Sequence, residues 1–235
     1  MRAARAGSAS ANAMTNFEVQ RVNMVESQVR PSDVTDGGII RAMLDVPREA
    51  FVPAAFAAFA YSDGAVPVQR PGRTAGRSLL PPRTLAKLIQ LAYVGPQSVV
   101  LDVGCATGYS TVVLGRLGRR IVALECEPAL AREAERHVRD LGTGNSTVVE
   151  GPLAAGVPGD APFDAILLNG AVPAVGPALL GQLADGGRLV AMVRQGPVCR
   201  AYAWQRSGAT SSRQPAFEGA AEPLPGFEVP AEFVL

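Results

Sequence analysis

The chain has 235 residues, with 22 Lys and Arg against 21 Asp and Glu, giving a formal net charge of +1 at pH 7. That balance supplies no strong positive field for gripping a phosphate backbone, so nucleic acid is not an expected partner. With 48% hydrophobic and 18% charged residues the composition excludes global disorder and suits one large α/β domain, two full domains being cramped at roughly 150 residues each.

Residues 1–15, rich in Ala, Ser, Arg and Asn, read as a disordered leader, with Met14 a candidate start. They lack the continuous apolar stretch of a secretory signal. From Phe17 to Pro53 the apolar spacing is helical. Val22, Val25 and Val29 form one stripe, and Ile39, Ile40, Met43 and Leu44 form another, with Thr35 or Asp36 as N-cap and Val46-Pro47 as the stop. Tyr61 to Arg77 holds Gly64, Pro67, Pro71, Gly72 and Gly76 and reads as an irregular segment, of a length often given to function. Pro81-Pro82 then opens a helix reaching Ala92.

From Ser98 the rhythm is regular. Apolar strands are predicted at 98–103, 120–124, 145–150, 163–168 and 187–193, with helices at 111–117, 128–141 and 177–183 between them. Strands apolar on both faces, alternating with helices, predict a parallel sheet covered on both sides. The longest uncharged run, residues 165–184, contains Asn169, Gly170, Pro173 and Pro177 and reads as strand, loop and short helix, not as a membrane span. After Gly196 the expectation is an antiparallel hairpin on the sheet edge, followed by a tail carrying Pro223, Pro225 and Pro230.

Cys105, Cys126 and Cys199 are odd in number and widely spaced, which fits neither a disulfide framework nor a Cys-x-x-Cys metal site. A reducing, cytoplasmic location and no metal are expected. The single histidine, His137, lies in a charged helical stretch and reads as a solvated face residue, so chemistry resting on a histidine base is disfavoured.

The most informative segment is Val99-Val-Leu-Asp-Val-Gly-Cys-Ala-Thr-Gly-Tyr109, a strand running through Gly104 and Gly108 into a helix. Open parallel sheets bind ligands at strand carboxyl ends, and glycine there lets a ligand approach the backbone. The Gly-x-x-x-Gly spacing is not the dinucleotide fingerprint. Glu125 ends the next strand, where a carboxylate can accept both ribose hydroxyls. Asp102 either orients the loop or faces a cationic ligand. Together these favour S-adenosylmethionine, a nucleoside cofactor with a positive sulfur and no pyrophosphate.

This loop resembles the first motif of class I S-adenosylmethionine-dependent methyltransferases. Met24-Val-Glu-Ser-Gln-Val-Arg30, Ile39-Ile-Arg-Ala-Met43 and Val46-Pro-Arg-Glu-Ala-Phe-Val-Pro53 resemble the N-terminal signature of the protein-L-isoaspartate O-methyltransferases. Pro162-Phe-Asp-Ala-Ile166 and Gly186-Gly-Arg-Leu-Val190 resemble that family's later strands. The resemblance implies a Rossmann-like fold with a mostly parallel seven-stranded sheet and an N-terminal helical extension. It divides the chain into extension (16–80), cofactor-binding core (81–196) and edge hairpin with tail (197–235). It implies methylation of the α-carboxylate of L-isoaspartyl residues in damaged proteins, by a monomer or weak homo-oligomer with a protein or peptide substrate. A carboxylate is already ionised at pH 7, so such chemistry needs no general base.

For the cofactor, the resemblance implies Asp102, Gly104, Cys105, Ala106, Gly108 and Tyr109 of the first loop, and Glu125 and Cys126 at the end of the second strand. Gly151 and Pro152 after the third strand and Asn169 after the fourth complete the set. Three positions depart from the family pattern. Leu80, in Gly76-Arg-Ser-Leu-Leu-Pro-Pro82, stands where the family has a functional serine, leaving Ser78, or Arg77 or Arg73, to meet a substrate carboxylate. Ala106 replaces a glycine, which a negative φ would accommodate. Gly151-Pro152-Leu153 replaces Gly-Asp-Gly, removing an acidic contact to the adenine. These departures point to a divergent member, and the alternatives are another methyl acceptor or a catalytically silent relative.

Overall fold

A computed structural model describes residues 17–69 and 76–227; the leader 1–15, Arg73 and Pro230 lie outside them. Four parallel strands stand side by side: β3 (Val99–Val103), β4 (Arg120–Glu125), β6 (Phe163–Val172) and, at one edge, β5 (Ser146–Glu150). Next come β7 (Leu183–Gln195), parallel to β6, and the antiparallel β8 (Val198–Ser207) and β9 (Thr210–Glu218). The spatial order β5-β4-β3-β6-β7-β8-β9 is the expected seven-stranded, mostly parallel α/β sheet with its edge hairpin.

All five residues of β3 are buried, because the sheet is covered on both faces. One core gathers the helices against Val100, Ile121, Leu167, Val190 and Met192. The other packs Leu101, Val103, Leu168, Leu189 and Trp204 on the opposite face, following the period of two.

The extension begins with a helix, α1 (residues 17–24), continued by a π-turn at Val25–Val29. Helix α2 (Gly37–Asp45) starts where Asp36 accepts hydrogen bonds from the amides of Gly38 and Ile39, one of the two caps expected. Strand β1 (Val66–Pro67) falls within the segment expected to be irregular and pairs antiparallel with β2 (Ser78–Leu79), just beyond its end. Helix α3 (Pro82–Ala92) follows, with Pro82 in its first turn and Leu85, Leu88 and Ile89 buried. Helices α4 (Tyr109–Gly115), α5 (Pro128–Leu141) and the single turn α6 (Pro177–Leu180) complete the crossovers. Among the described residues no helix is long and apolar enough to cross a membrane.

The chain steps from β3 outward to β4 and β5, then returns to place β6 on the other side of β3. The crevice at the carboxyl ends of β3 and β6 is therefore the topological switch point, the preferred ligand position in such sheets.

Candidate active site

The turn after β3 lies at that crevice. Gly104 and Gly108 have φ of +71° and +91°, a region where a side chain is strained. Ala106, too, has a positive φ of 52°, so the negative φ that would accommodate the replacement of glycine is not what the chain adopts; the alanine is held in the left-handed region. Its amide donates to Glu125 Oε2 at 2.8 Å, a bond that helps hold the strain.

Asp102 is fully buried at the end of β3. Its carboxylate accepts from Ser110 Oγ at 2.8 Å, Thr111 Oγ1 at 2.6 Å and Asn169 Nδ2. Burial pushes its pKa up, and the three hydrogen bonds oppose that shift. Of the two roles open to Asp102, this geometry is that of a loop organiser, pinning the first turn of α4 and Asn169 of β6 to β3. Thr107 Oγ1 donates to the Phe51 carbonyl at 2.7 Å, tying the turn to the extension. His137 is not the solvated residue expected: it is 8% exposed, 2.8 Å from the Thr107 carbonyl through Nδ1, and its ring packs at a tilt against Phe51, centroids 4.7 Å apart. The polar stretch around it hid the one helix face that packs on this turn.

Glu125, fully buried at the end of β4, accepts from the amides of Ala106, Cys126 and Glu127. It also receives the fork of Arg77, Nη1 to Oε1 at 2.6 Å and Nη2 to Oε2 at 2.9 Å. Arg77 Nη2 donates again to the Gly104 carbonyl at 2.9 Å, and the guanidinium is 4% exposed. Arg77 is thus turned inward onto the chain's own carboxylate.

Leu80 is 5% exposed, with its side chain in the helix-side core. Its carbonyl accepts from Arg48 Nη2 at 2.7 Å. Ser78 lies in β2 opposite Pro67, half-buried. Tyr109 is buried and lies under the Arg48 guanidinium at 4.7 Å, and burial raises the phenol pKa. Cys105 is buried and Cys126 half-buried, and burial drives both thiols up. The Gly151 amide donates to the backbone carbonyl of Glu125 at 3.0 Å, and Pro152 leads into a 3-10 turn, so the backbone after β5 is tied to the end of β4.

Two residues escape the sequence reading. Arg48 is fully buried, donates to the Ala60 and Leu80 carbonyls and leaves Nη1 without a hydrogen bond. Leu224, expected only as part of a tail, packs against Gly104 and Gly170 at the mouth of the crevice. Its one signal is an apolar residue enclosed by Pro223 and Pro225, which keep a chain extended.

Comparison with known proteins follows the same lines. The family model described as protein-L-isoaspartate(D-aspartate) O-methyltransferase matches residues 20–215. A Herpetosiphon aurantiacus protein-L-isoaspartate O-methyltransferase is 38% identical over 192 residues, covering 82% of this chain and 84% of its own. This chain belongs to that family. A Methylorubrum populi relative of the same name is 42% identical over 173 residues, 74% of this chain and 79% of its own. Among solved structures, a protein-L-isoaspartate O-methyltransferase superposes with TM-score 0.77 at 22% identity, over 90% of this chain and 67% of that one. A Plasmodium falciparum chain described by the same activity, in complex with S-adenosyl-L-homocysteine, gives TM-score 0.70 at 17% identity over 89% and 98% of the two chains. The fold is therefore that of a class I methyltransferase.

The family uses S-adenosylmethionine, and the side-chain types at the crevice suit it: a strand-end carboxylate and glycines beneath. The space does not. Glu125 has its oxygens engaged by three amides and a guanidinium, against about four acceptor positions on a carboxylate. Leu224 Cδ2 lies only 2.8 Å from where a Cβ on Gly104 would stand. As arranged, the residues do not fit the cofactor.

Proposed function

We propose that this chain is a protein carboxyl methyltransferase acting on the α-carboxylate of L-isoaspartyl residues in damaged proteins, the step that sets up succinimide formation and partial return to aspartate. The observation that carries this reading is the family match across residues 20–215. The residues are compatible with the chemistry, because a carboxylate acceptor is ionised at neutral pH and requires no base. The one histidine is committed to the Thr107 carbonyl. What remains for the protein is positioning, which can be worth several kcal/mol. Leu80 offers no hydroxyl to the substrate. Ser78 is the nearest hydroxyl in sequence, and its place in β2 supports a role at the substrate loop.

A cytoplasmic location and a monomer or weak homo-oligomer belong to the same proposal. The first is supported by three cysteines that are all free thiols.

The test is transfer of labelled methyl from saturating S-adenosylmethionine to a matched pair of peptides, one isoaspartyl and one aspartyl, scored as base-labile ester. Ester on the isoaspartyl peptide alone is expected; ester on neither overturns the reading. A catalytically silent relative is the second reading, favoured by one observation, the closure of Arg77 onto Glu125.

A further inference from the structure

We propose that Arg77 and Leu224 are a built-in occupant of the cofactor crevice, so that the C-terminal segment and the cofactor compete for one space and the chain rests closed. This deepens the family reading and rests on it for the identity of the crevice.

Position is the first support. Gly104 immediately follows β3 and Gly170 lies in β6, the two strands that border the switch point. Leu224 straddles both: a Cβ on Gly104 would be 2.8 Å from its Cδ2, and one on Gly170 would be 2.6 Å from its Cγ. The open surface that glycine leaves for a ligand is taken by this leucine.

The second support is how the segment is held. Leu224 donates its amide to the Ala171 carbonyl at 2.8 Å, and Ala171 donates back to the Glu222 carbonyl at 2.7 Å, a parallel bridge centred on Pro223. Arg194 Nη2 donates to the Ala221 carbonyl at 2.6 Å. Leu224 is 4% exposed and joins Leu101, Val103, Leu153 and Leu168 in the second core. This is a seated side chain with backbone pairing, not a strand end lying on the surface.

Charge is the third. The carboxylate placed to accept ribose hydroxyls already has a cation in bidentate contact, and that cation adjoins Leu224: Arg77 Nη2 is 3.2 Å from the Gly104 Cβ position that Leu224 also crowds. One occupant covers the polar half of the crevice and the other the apolar half. The segment hangs from the end of β9 at Glu218, so it can leave by breaking the Ala171 pairing while the sheet stays intact.

The experiment uses the full chain and S-adenosyl-L-homocysteine, whose binding is read without turnover. Calorimetric titration of the natural chain, Leu224→Ala and Arg77→Ala is combined with hydrogen exchange at the Leu224 and Ala171 amides. At least tenfold tighter binding to either variant is expected, with loss of protection at both amides as ligand saturates the natural chain. Equal affinity in all three, with both amides still protected in the bound state, would overturn the competition and leave the family reading standing. No binding to any of the three at millimolar ligand would overturn both. If Arg77→Ala does not fold, Leu224→Ala and the exchange data on the natural chain still decide.

Discussion

Glu125 and Arg77 illustrate what a single residue's position in sequence reveals and what it conceals. The place of Glu125 at the end of the strand after the glycine turn follows from apolar spacing. Its partner lies 48 residues earlier, and no local pattern reports a contact at that separation. Arg77 is read from sequence as a group for a substrate carboxylate; the fold gives it a carboxylate of the same chain, because an inward guanidinium needs an anion and Glu125 supplies it in bidentate contact. The thiols permit a test at this scale. Burial raises Cys105 most directly, with Asp102 and Glu125 adding to the shift, and also raises the half-buried Cys126. A raised thiol pKa means less thiolate at pH 8, so both react more slowly than a free cysteine, with access separating them. Iodoacetamide on the native chain, followed by peptide mass analysis, is expected to label Cys126 first and Cys105 only after denaturant is added. Equal native rates would mean that the glycine turn opens readily.

At the scale of elements, the central strands are legible because each is an apolar run bounded by polar or glycine residues, and β3, β4 and β5 agree with expectation to within a residue or two. The disagreements share a cause, pairing that depends on a distant strand. Strand β7 begins at Leu183, not Gly187, because Leu183 pairs with Phe163. Strand β6 runs on to Val172, where Ala171 and Val172 pair with Met192 and Val193. Strands β1 and β2, two residues each, exist only through each other, and no period is readable in two residues. The segment joining β2 to α3 carries the departure at Leu80. Leu80→Ser would remove a buried apolar side chain and bury a hydroxyl, costing about 2–4 kcal/mol. A fall in Tm of roughly 4–16 °C is expected by thermal unfolding. An unchanged Tm would place this side chain at the surface.

For the whole molecule, the topology was readable because alternation of strand and helix admits few arrangements, and the returning strand fixes where the crevice lies. What fills the crevice was not readable, since it depends on where the last segment comes to rest after β9. Gly170→Ala tests that closure without altering either occupant. The new methyl would stand 2.6 Å from Leu224 Cγ and 2.8 Å from the Glu222 carbonyl oxygen. Overpacking of this kind costs about 1–3 kcal/mol. The expected result is faster exchange at the Leu224 amide and a Tm lower by roughly 2–12 °C. Unchanged exchange would show that the segment is not seated against Gly170.

The bridge between Ala171 and Pro223 joins residues 52 positions apart through a segment that never leaves the molecule. A ligand tethered in this way acts at a fixed effective concentration, on the order of millimolar for a short flexible link. Diluting the protein therefore cannot open the crevice, as it would release an inhibitor bound from solution. If the closed form outweighs the open form by about a hundred to one, the apparent affinity of any competing molecule falls by the same factor. Sensitivity to the competing ligand is then set by the few residues around Leu224, and can be retuned there without changing a group that touches the ligand.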